Sequence, residues 1–397
     1  MVSSSVIGSI SRAVFLMSTH VSCCTNSATY ASHTVDGLKA LQTWYNKETG
    51  LWDSTGWWNS ANCLTVLADF ALLDPTASAS LNIPGIVQNT YEQAQKTPVQ
   101  AAKKLSAAGL PISTYSRVET KARTKGTKRS EIKKRGFDNF LNDYYDDEGW
   151  WALAMIHSHD LGVQGLGDQQ YLQAAVEIFE DMKKGNSTCG GIYWSKVGTY
   201  TNAIANELFL SVAASLANRI PDRKAYFLDT ATKQWNWFKN SGMINGNNLI
   251  NDGLTADCKN NGKQTWTYNQ GVILGGLVEL HKATGDQSLL TEAQTIAAAA
   301  ISHLSKDGIL SDGCEPNCGG DGAQFKGVFM RNLHYLQKAA PSDPIKNFIL
   351  KNANSIWAKN RNAQNMLGGS WQGPYSNATA GTQSSALDTL VAAVAVA

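Results

Sequence analysis

Asn142-Asp-Tyr-Tyr-Asp-Asp-Glu-Gly-Trp-Trp-Ala-Leu-Ala154 sets three consecutive carboxylates ahead of an apolar run that continues to Leu161. Acidic residues in this position mark the first turn of a helix, where unpaired backbone N–H groups and the helix dipole favour negative charge. From Trp150 onward the apolar residues recur at helical spacing. The chain on either side repeats the signal. Leu38, Leu41, Trp44 and Tyr45 share one helix face, and helical patterns run over 58–72, 150–161, 171–182, 203–216, 225–238, 268–281, 289–304, 325–336, 345–357 and 384–396, with a weaker one at 86–95. Gly185, Gly242 and Gly308 stand where helices close, and Asp286 can cap the helix that follows it. Period-two strand patterns are scarce.

About a dozen helices at intervals of roughly 30 residues predict helix pairs closing in a ring. The units share a period but little sequence, which favours a closed α/α toroid over an open solenoid of like repeats. No Pro/Ser linker divides the chain. The expectation is an all-α single domain over 31–397, preceded by a candidate signal segment at 1–30.

The formal charge of +2 argues against nucleic acid or another polyanion as partner. The 12 Trp, 13 Tyr and 11 Phe suit either a core or flat platforms for sugar rings. No apolar run reaches the roughly 18 residues that a membrane helix needs. Arg12 followed by Ala13-Val-Phe-Leu-Met17 and small residues resembles a secretory signal with a short apolar stretch, and the acceptors Asn186-Ser-Thr188 and Asn377-Ala-Thr379 point the same way, to a secreted or cell-wall protein. A monomer is expected. Cys314 and Cys318 lack the further ligands of a zinc site, so disulfides are expected; the pairing is open, and removal of the leader leaves five cysteines, at least one of them free. His157 and His159 are two apart on a helix and point in different directions, which speaks against a two-His metal site.

One segment stands apart. Residues 101–135 carry eleven Lys and Arg, among them Lys103, Lys104, Arg117 and Lys128-Arg129, against Glu119 and Glu131 alone, with no strong apolar face. The segment is read as an exposed, mobile basic insertion. A sharper reading makes it a patch for acidic wall polymers such as phosphomannan, and its place just upstream of the acidic block lets it cover a cleft.

Glycoside hydrolysis needs two carboxyl groups, held about 5–5.5 Å apart in retaining enzymes. Neighbouring Cα atoms lie about 3.8 Å apart, so on a turn entering a helix Asp146 and Asp147 can face one hollow. Their repulsion raises one pKa and gives an acid beside a base. Taken alone, the block reads equally as an ordinary helix start, with Trp150-Trp151 in the core.

The block resembles the signature of glycoside hydrolase family 76, the endo-α-1,6-mannanases. Further blocks are similar in the same order: Leu51-Trp-Asp53 with Trp57-Trp-Asn-Ser-Ala-Asn62, Cys189-Gly-Gly-Ile-Tyr-Trp194, Asn202-Ala-Ile-Ala-Asn-Glu-Leu-Phe209, Thr267-Tyr-Asn-Gln-Gly-Val-Ile-Leu-Gly-Gly-Leu277, Phe325-Lys-Gly-Val-Phe-Met-Arg-Asn-Leu333 and Gln383-Ser-Ser-Ala-Leu387. The resemblance implies an (α/α)6 barrel, retention of configuration, Asp146 as nucleophile, Asp147 as general acid/base, α-1,6-mannan as substrate and no cofactor or metal. Trp57, Trp58, Asn59, Trp150, Trp151, Trp194, Asn202, Asn206, Tyr268, Asn269, Gln270, Arg331 and Trp371 are candidates for binding mannose units, with helix capping or core packing as the alternative for each. Glu207 can bind a hydroxyl or pair inside the barrel. Two other outcomes stay open: a wall transglycosidase acting on mannose-containing GPI glycans, and a non-catalytic mannan-binding protein.

Overall fold

Among the described residues, twelve long helices sort by burial into six that are enclosed nearly all round and six that bury one face. The computed structural model describes residues 27–97, 99–117, 139–162 and 169–397. In chain order the helices are α1 (Ser27–Gln42), α2 (Trp57–Leu73), the short α3 (Pro75–Ser80), α4 (Ile83–Ala94), α5 (Tyr145–Asp160), α6 (Gln169–Met182), α7 (Ala203–Arg219), α8 (Lys224–Asn240), α9 (Thr267–Thr284), α10 (Ser288–His303), the short α11 (Gly319–Gly322), α12 (Phe325–Ala339), α13 (Asp343–Lys359) and α14 (Ala380–Val396). The enclosed set is α2, α5, α7, α9, α12 and α14. A helix apolar on all sides belongs inside, and one with an apolar stripe belongs outside. Outer and inner helices alternate, α1, α4, α6, α8, α10 and α13 lying outside.

The inner helices touch in the cycle α2–α5–α7–α9–α12–α14, and α14 returns to α2, which closes the ring. The result is the (α/α)6 barrel the resemblance implied. Its walls are tight. A Cβ on Gly271 of α9 would lie 2.6 Å from the Cα of Phe329 in α12, and one on Gly327 of α12 would lie 2.4 Å from the Cα of Ser385 in α14. All six inner helices run the same way, so their N-termini gather at one mouth.

Among the described residues three antiparallel pairs accompany the helices: β1 (Tyr45–Asn46) with β2 (Leu51–Trp52), β3 (Val99–Leu105) with β4 (Pro111–Arg117), and β5 (Ser305–Lys306) with β6 (Ile309–Leu310). The middle pair corrects the reading of 101–135 as an exposed insertion. Its first part is a hairpin in which Ala101 pairs with Tyr115 and Lys103 with Ser113. Val99, Ala101, Lys103 and Leu105 face the barrel while Gln100, Ala102 and Lys104 face out. The period of two is there, but alanines blur it and a lysine fills an inward slot. The rest of the basic segment, 118–138, lies outside the described residues.

Cys189 pairs with Cys258 and Cys314 with Cys318, and Cys63 is buried and free. Most of the candidate signal segment lies outside the described residues, while Ser27–Tyr30 belong to α1. Among the described residues no helix is long and apolar enough to cross a membrane.

Candidate active site

α5 begins at the mouth where the inner N-termini gather. Tyr144 precedes it in an extended conformation, and the N–H of Tyr145 bonds to the carbonyl of Trp194 at 3.0 Å. Asp146, Asp147 and Glu148 occupy the first turn. Asn142 folds back over them. Its side-chain amide donates to Asp147 Oδ2 at 2.6 Å, its backbone N–H donates to Glu148 Oε1 at 2.8 Å, and its Oδ1 accepts from the Tyr144 N–H at 2.8 Å. Glu148 is buried and pairs with Lys196 at 2.6 Å, which also holds Asp181 at 2.6 Å. Glu148 therefore anchors the turn, and the two aspartates are left to face the mouth.

They do not face an open hollow. The Lys103 ammonium, only 2 % exposed, lies 2.7 Å from Asp146 Oδ2 and 2.5 Å from Asp147 Oδ1. Two such contacts to one nitrogen keep those oxygens no more than about 5 Å apart, which excludes the wider spacing of inverting glycosidases. Tyr115, also on the hairpin, donates to Asp147 Oδ2 at 3.1 Å. Asp147 is fully buried and Asp146 is 6 % exposed. The expected sugar-sized hollow is thus occupied by the protein itself. The carboxylates converge as the sequence suggested, and a cation from the hairpin fills the space between them.

Electrostatics single out Asp147. Burial pushes Asp147 up to about 7; Lys103 pulls it back, the Asp146 carboxylate adds to the rise, and the Asn142 bond opposes it. Burial disfavours the Lys103 ammonium, but Asp146 and Asp147 outweigh that and hold its pKa above the ordinary lysine value. Beneath the pair lies a second polar group. Asp252, Asp146 and Glu207 all act on the Tyr268 phenol, which burial first of all pushes upward. Glu207 and Asn269 are fully buried, and no side-chain polar atom of either has a hydrogen-bond partner among the described residues. Such atoms are costly to leave unpaired, and a bound hydroxyl would satisfy them. Asp252, pushed up to about 6 by burial, accepts from the Tyr200 hydroxyl.

Several candidate binders have other work. Trp57 packs on Trp151 with ring centroids 5.5 Å apart, Trp58 stacks on Trp150 at 5.3 Å, and Trp371 lies under Lys326; all five rings are at least 96 % buried and with the hairpin in place present no open face to a sugar. Asn59 bonds to Gln324 and to the Gly56 N–H. Asn202 caps α7 by accepting from the Ala205 N–H. Asn206 bonds both the N–H and the carbonyl of Ile192, and Gln270 does the same to Ile250. These amides staple loops to inner helices and have little left for a ligand. Arg331 is misplaced for the role: it bonds Asn62, lies 3.6 Å from Asp388, and lines a cavity of about 1110 Å³ at the opposite mouth, where His157 pairs with Asp69 at 2.7 Å. Trp194, half-buried and 5.6 Å below the Lys103 ammonium, and the buried Tyr268, on whose phenol Asp146 acts, lie near the aspartate pair, and Asn269 is buried next to Tyr268 in the first turn of α9.

Sequence reasoning missed Lys103, Tyr115, Asn142 and Asp321. Asn142 sat in the quoted block; nothing in the sequence marked Asp321, which accepts from the Trp58 indole at 2.7 Å and the Ser113 N–H at 2.6 Å.

Six inner and six outer helices around adjacent carboxylates at one mouth define an (α/α)6 protein with an acidic pair. The chain belongs to glycosyl hydrolase family 76, whose family model matches residues 22–397. It is 27 % identical over 281 residues to the mannan endo-1,6-alpha-mannosidase DFG5 of Candida albicans, an alignment covering 63 % of this chain and 60 % of that protein. It is 26 % identical over 271 residues to the mannan endo-1,6-alpha-mannosidase DCW1 of Saccharomyces cerevisiae, covering 62 % and 59 %. The chain thus spans about 60 % of the length of these relatives. Among solved structures it is similar to an α-1,6-mannanase of Salegentibacter sp. HEL1_6, an inactive variant with two consecutive aspartates replaced by asparagine, in complex with α-1,6-mannotriose (TM-score 0.72, 19 % identity, 93 % of this chain and 100 % of that one). It is also similar to Dfg5 of Chaetomium thermophilum in complex with glucosamine (TM-score 0.74, 16 % identity, 94 % and 91 %).

Proposed function

We propose that this chain is a retaining endo-α-1,6-mannanase with Asp146 as nucleophile and Asp147 as general acid/base. The observation that carries the reading is the convergence of the two carboxylates on one point, no more than about 5 Å apart, with Asp147 raised and so able to hold a proton near neutral pH. Two curated relatives named as mannan endo-1,6-alpha-mannosidases, and a similar structure inactivated by replacing two adjacent aspartates, support the same roles.

In the first step Asp146 attacks the anomeric carbon of a mannosyl unit while Asp147 gives its proton to the departing glycosidic oxygen. The C–O bond breaks and a mannosyl ester forms on Asp146. In the second step Asp147, now ionised, takes a proton from water, which attacks the same carbon and releases Asp146. Glu207, Asn269 and Tyr268, beneath the pair, are proposed to meet sugar hydroxyls. The natural substrate is proposed to be α-1,6-mannan of a fungal wall, met by a secreted monomer.

Linear α-1,6-mannan with reducing-end detection tests the reading. Asp146→Asn and Asp147→Asn are each expected to abolish turnover while the melting temperature stays near that of the parent. Proton NMR should register the α-anomer first; an initial β-product, or full activity in either variant, rejects the assignment.

A further inference from the structure

The hairpin Val99–Arg117 crosses the active mouth and touches the approaches to four inner helices. Tyr144, before α5, accepts from the Lys103 N–H at 3.0 Å; Asp321, before α12, accepts from the Ser113 N–H at 2.6 Å; Gln264, before α9, donates to the Ala108 carbonyl at 3.0 Å; and at Gly56, before α2, an added Cβ would meet the Tyr115 ring at 2.8 Å. At its centre the Lys103 ammonium touches both catalytic carboxylates. In glycoside hydrolysis the reacting carbon passes between the same two groups with developing positive charge. A mannosyl ring and the Lys103 side chain therefore cannot share the site.

The hairpin is also separable. The inner helices contact one another in a complete ring without it. Its apolar anchors are Val99 and Leu110, with Tyr115 packed beside the core; the rest of its hold is polar, and Ile112 is 39 % exposed. A lone two-stranded hairpin is only marginally stable, and an element with few buried apolar contacts opens before the core does.

We propose that the β3–β4 hairpin is an autoinhibitory strap, with Lys103 as a built-in stand-in for the reacting sugar carbon, and that substrate enters only when the strap lifts from the mouth. The proposal rests on the assignment of Asp146 and Asp147 as the catalytic pair. Removing the ammonium frees both carboxylates and weakens the strap, so loss of Lys103 raises activity rather than lowering it.

Two measurements on the full chain test it. The first is kcat/KM on α-1,6-mannotetraose for the parent, Lys103→Met and Ser113→Pro. Ser113→Pro removes the N–H that Asp321 accepts and leaves the carboxylate pair untouched, so it decides the question if Lys103→Met melts early. A rise of about tenfold or more is expected, the size of one charge-assisted hydrogen bond. A fall with unchanged melting temperature overturns the strap and makes the hairpin part of the working site; an unchanged value overturns it as well. The second is amide hydrogen exchange in the absence of sugar. The N–H groups of Lys103 and Ser113 are expected to exchange much faster than those of α5 and α12. Exchange in step with the helices would show that the hairpin opens only with the barrel and would sink the strap. If no variant cleaves mannan while the hairpin amides still exchange early, the mannanase reading fails and takes the autoinhibitory role with it, leaving only a hairpin that opens ahead of the barrel.

Discussion

Asp147 receives three donors of different kinds: an ammonium, an amide and a phenol. Each holds the ionised form, yet burial wins and the group sits near 7. The general acid proposed here must be protonated to act, so kcat/KM is expected to fall as pH rises through about 7 or somewhat above. Lys103 and Asn142 both pull that value down. Lys103→Met and Asn142→Ala should therefore each move the alkaline limb to higher pH, which a pH profile of kcat/KM reads directly. An unmoved limb in both variants would mean that another group sets it. The sequence made the two aspartates legible because three carboxylates before an apolar run carry a local meaning. Lys103 was not legible. Nothing in a run of basic residues says which one faces inward, since that depends on the pairing register with β4, set by contacts some 40 residues further on.

At the scale of elements, the barrel wall depends on close helix approach. Gly327 lets α12 lie against the backbone of α14 at Ser385, and a methyl group there cannot be relieved by a side-chain rotation. Gly327→Ala is expected to lower stability by about 1–3 kcal/mol, as overpacking does, measured as a drop in melting temperature with the helical circular dichroism of the native state retained. The Cys189–Cys258 bridge closes a loop of 69 residues between the segment before α7 and the segment before α9. Cys258→Ala is expected to cost about 2–4 kcal/mol, read by denaturant unfolding, while Cys314→Ala, which opens a four-residue loop, should cost less. The long helices were legible from periodicity: the structure extends the 150–161 pattern back to Tyr145, through the acidic first turn, and the 268–281 pattern on to Thr284. The stapling amides were not. Asn206 and Gln270 look like ligand groups in sequence because each opens an apolar helix, and only their partners across the loop reveal that they hold backbone.

For the whole molecule, the buried carboxyls set the pH at which it is most stable. Asp147 and Asp388 are pushed up to about 7 and Asp252 and Asp312 to about 6, in each case chiefly by burial. A group raised in the folded state binds its proton more tightly there than in the unfolded chain, so stability falls as pH rises from about 4, the unfolded value, through 6 and 7. Glu279 runs the other way. Burial opposes its charge, but Arg219 and Lys282 bring it down to about 2, so its contribution is present above the unfolded value of about 4.5 and is lost as pH falls toward 2. The melting temperature is expected to peak between about pH 4 and 6. A maximum above pH 8 would contradict this balance.

The seam of the ring lies between its first and last helices. α14 packs on α1 and α2, Gln383 bonds to the Gly37 carbonyl at 2.9 Å, and Ser27 bonds to the Val394 carbonyl at 3.0 Å. During synthesis the ribosome releases α14 after every other wall segment. Until then the nascent polypeptide holds five staves of six, with the apolar flanks of α2 and α12 facing water. The barrel therefore closes only once α14 has emerged, and a chaperone would find its widest target in the moments just before.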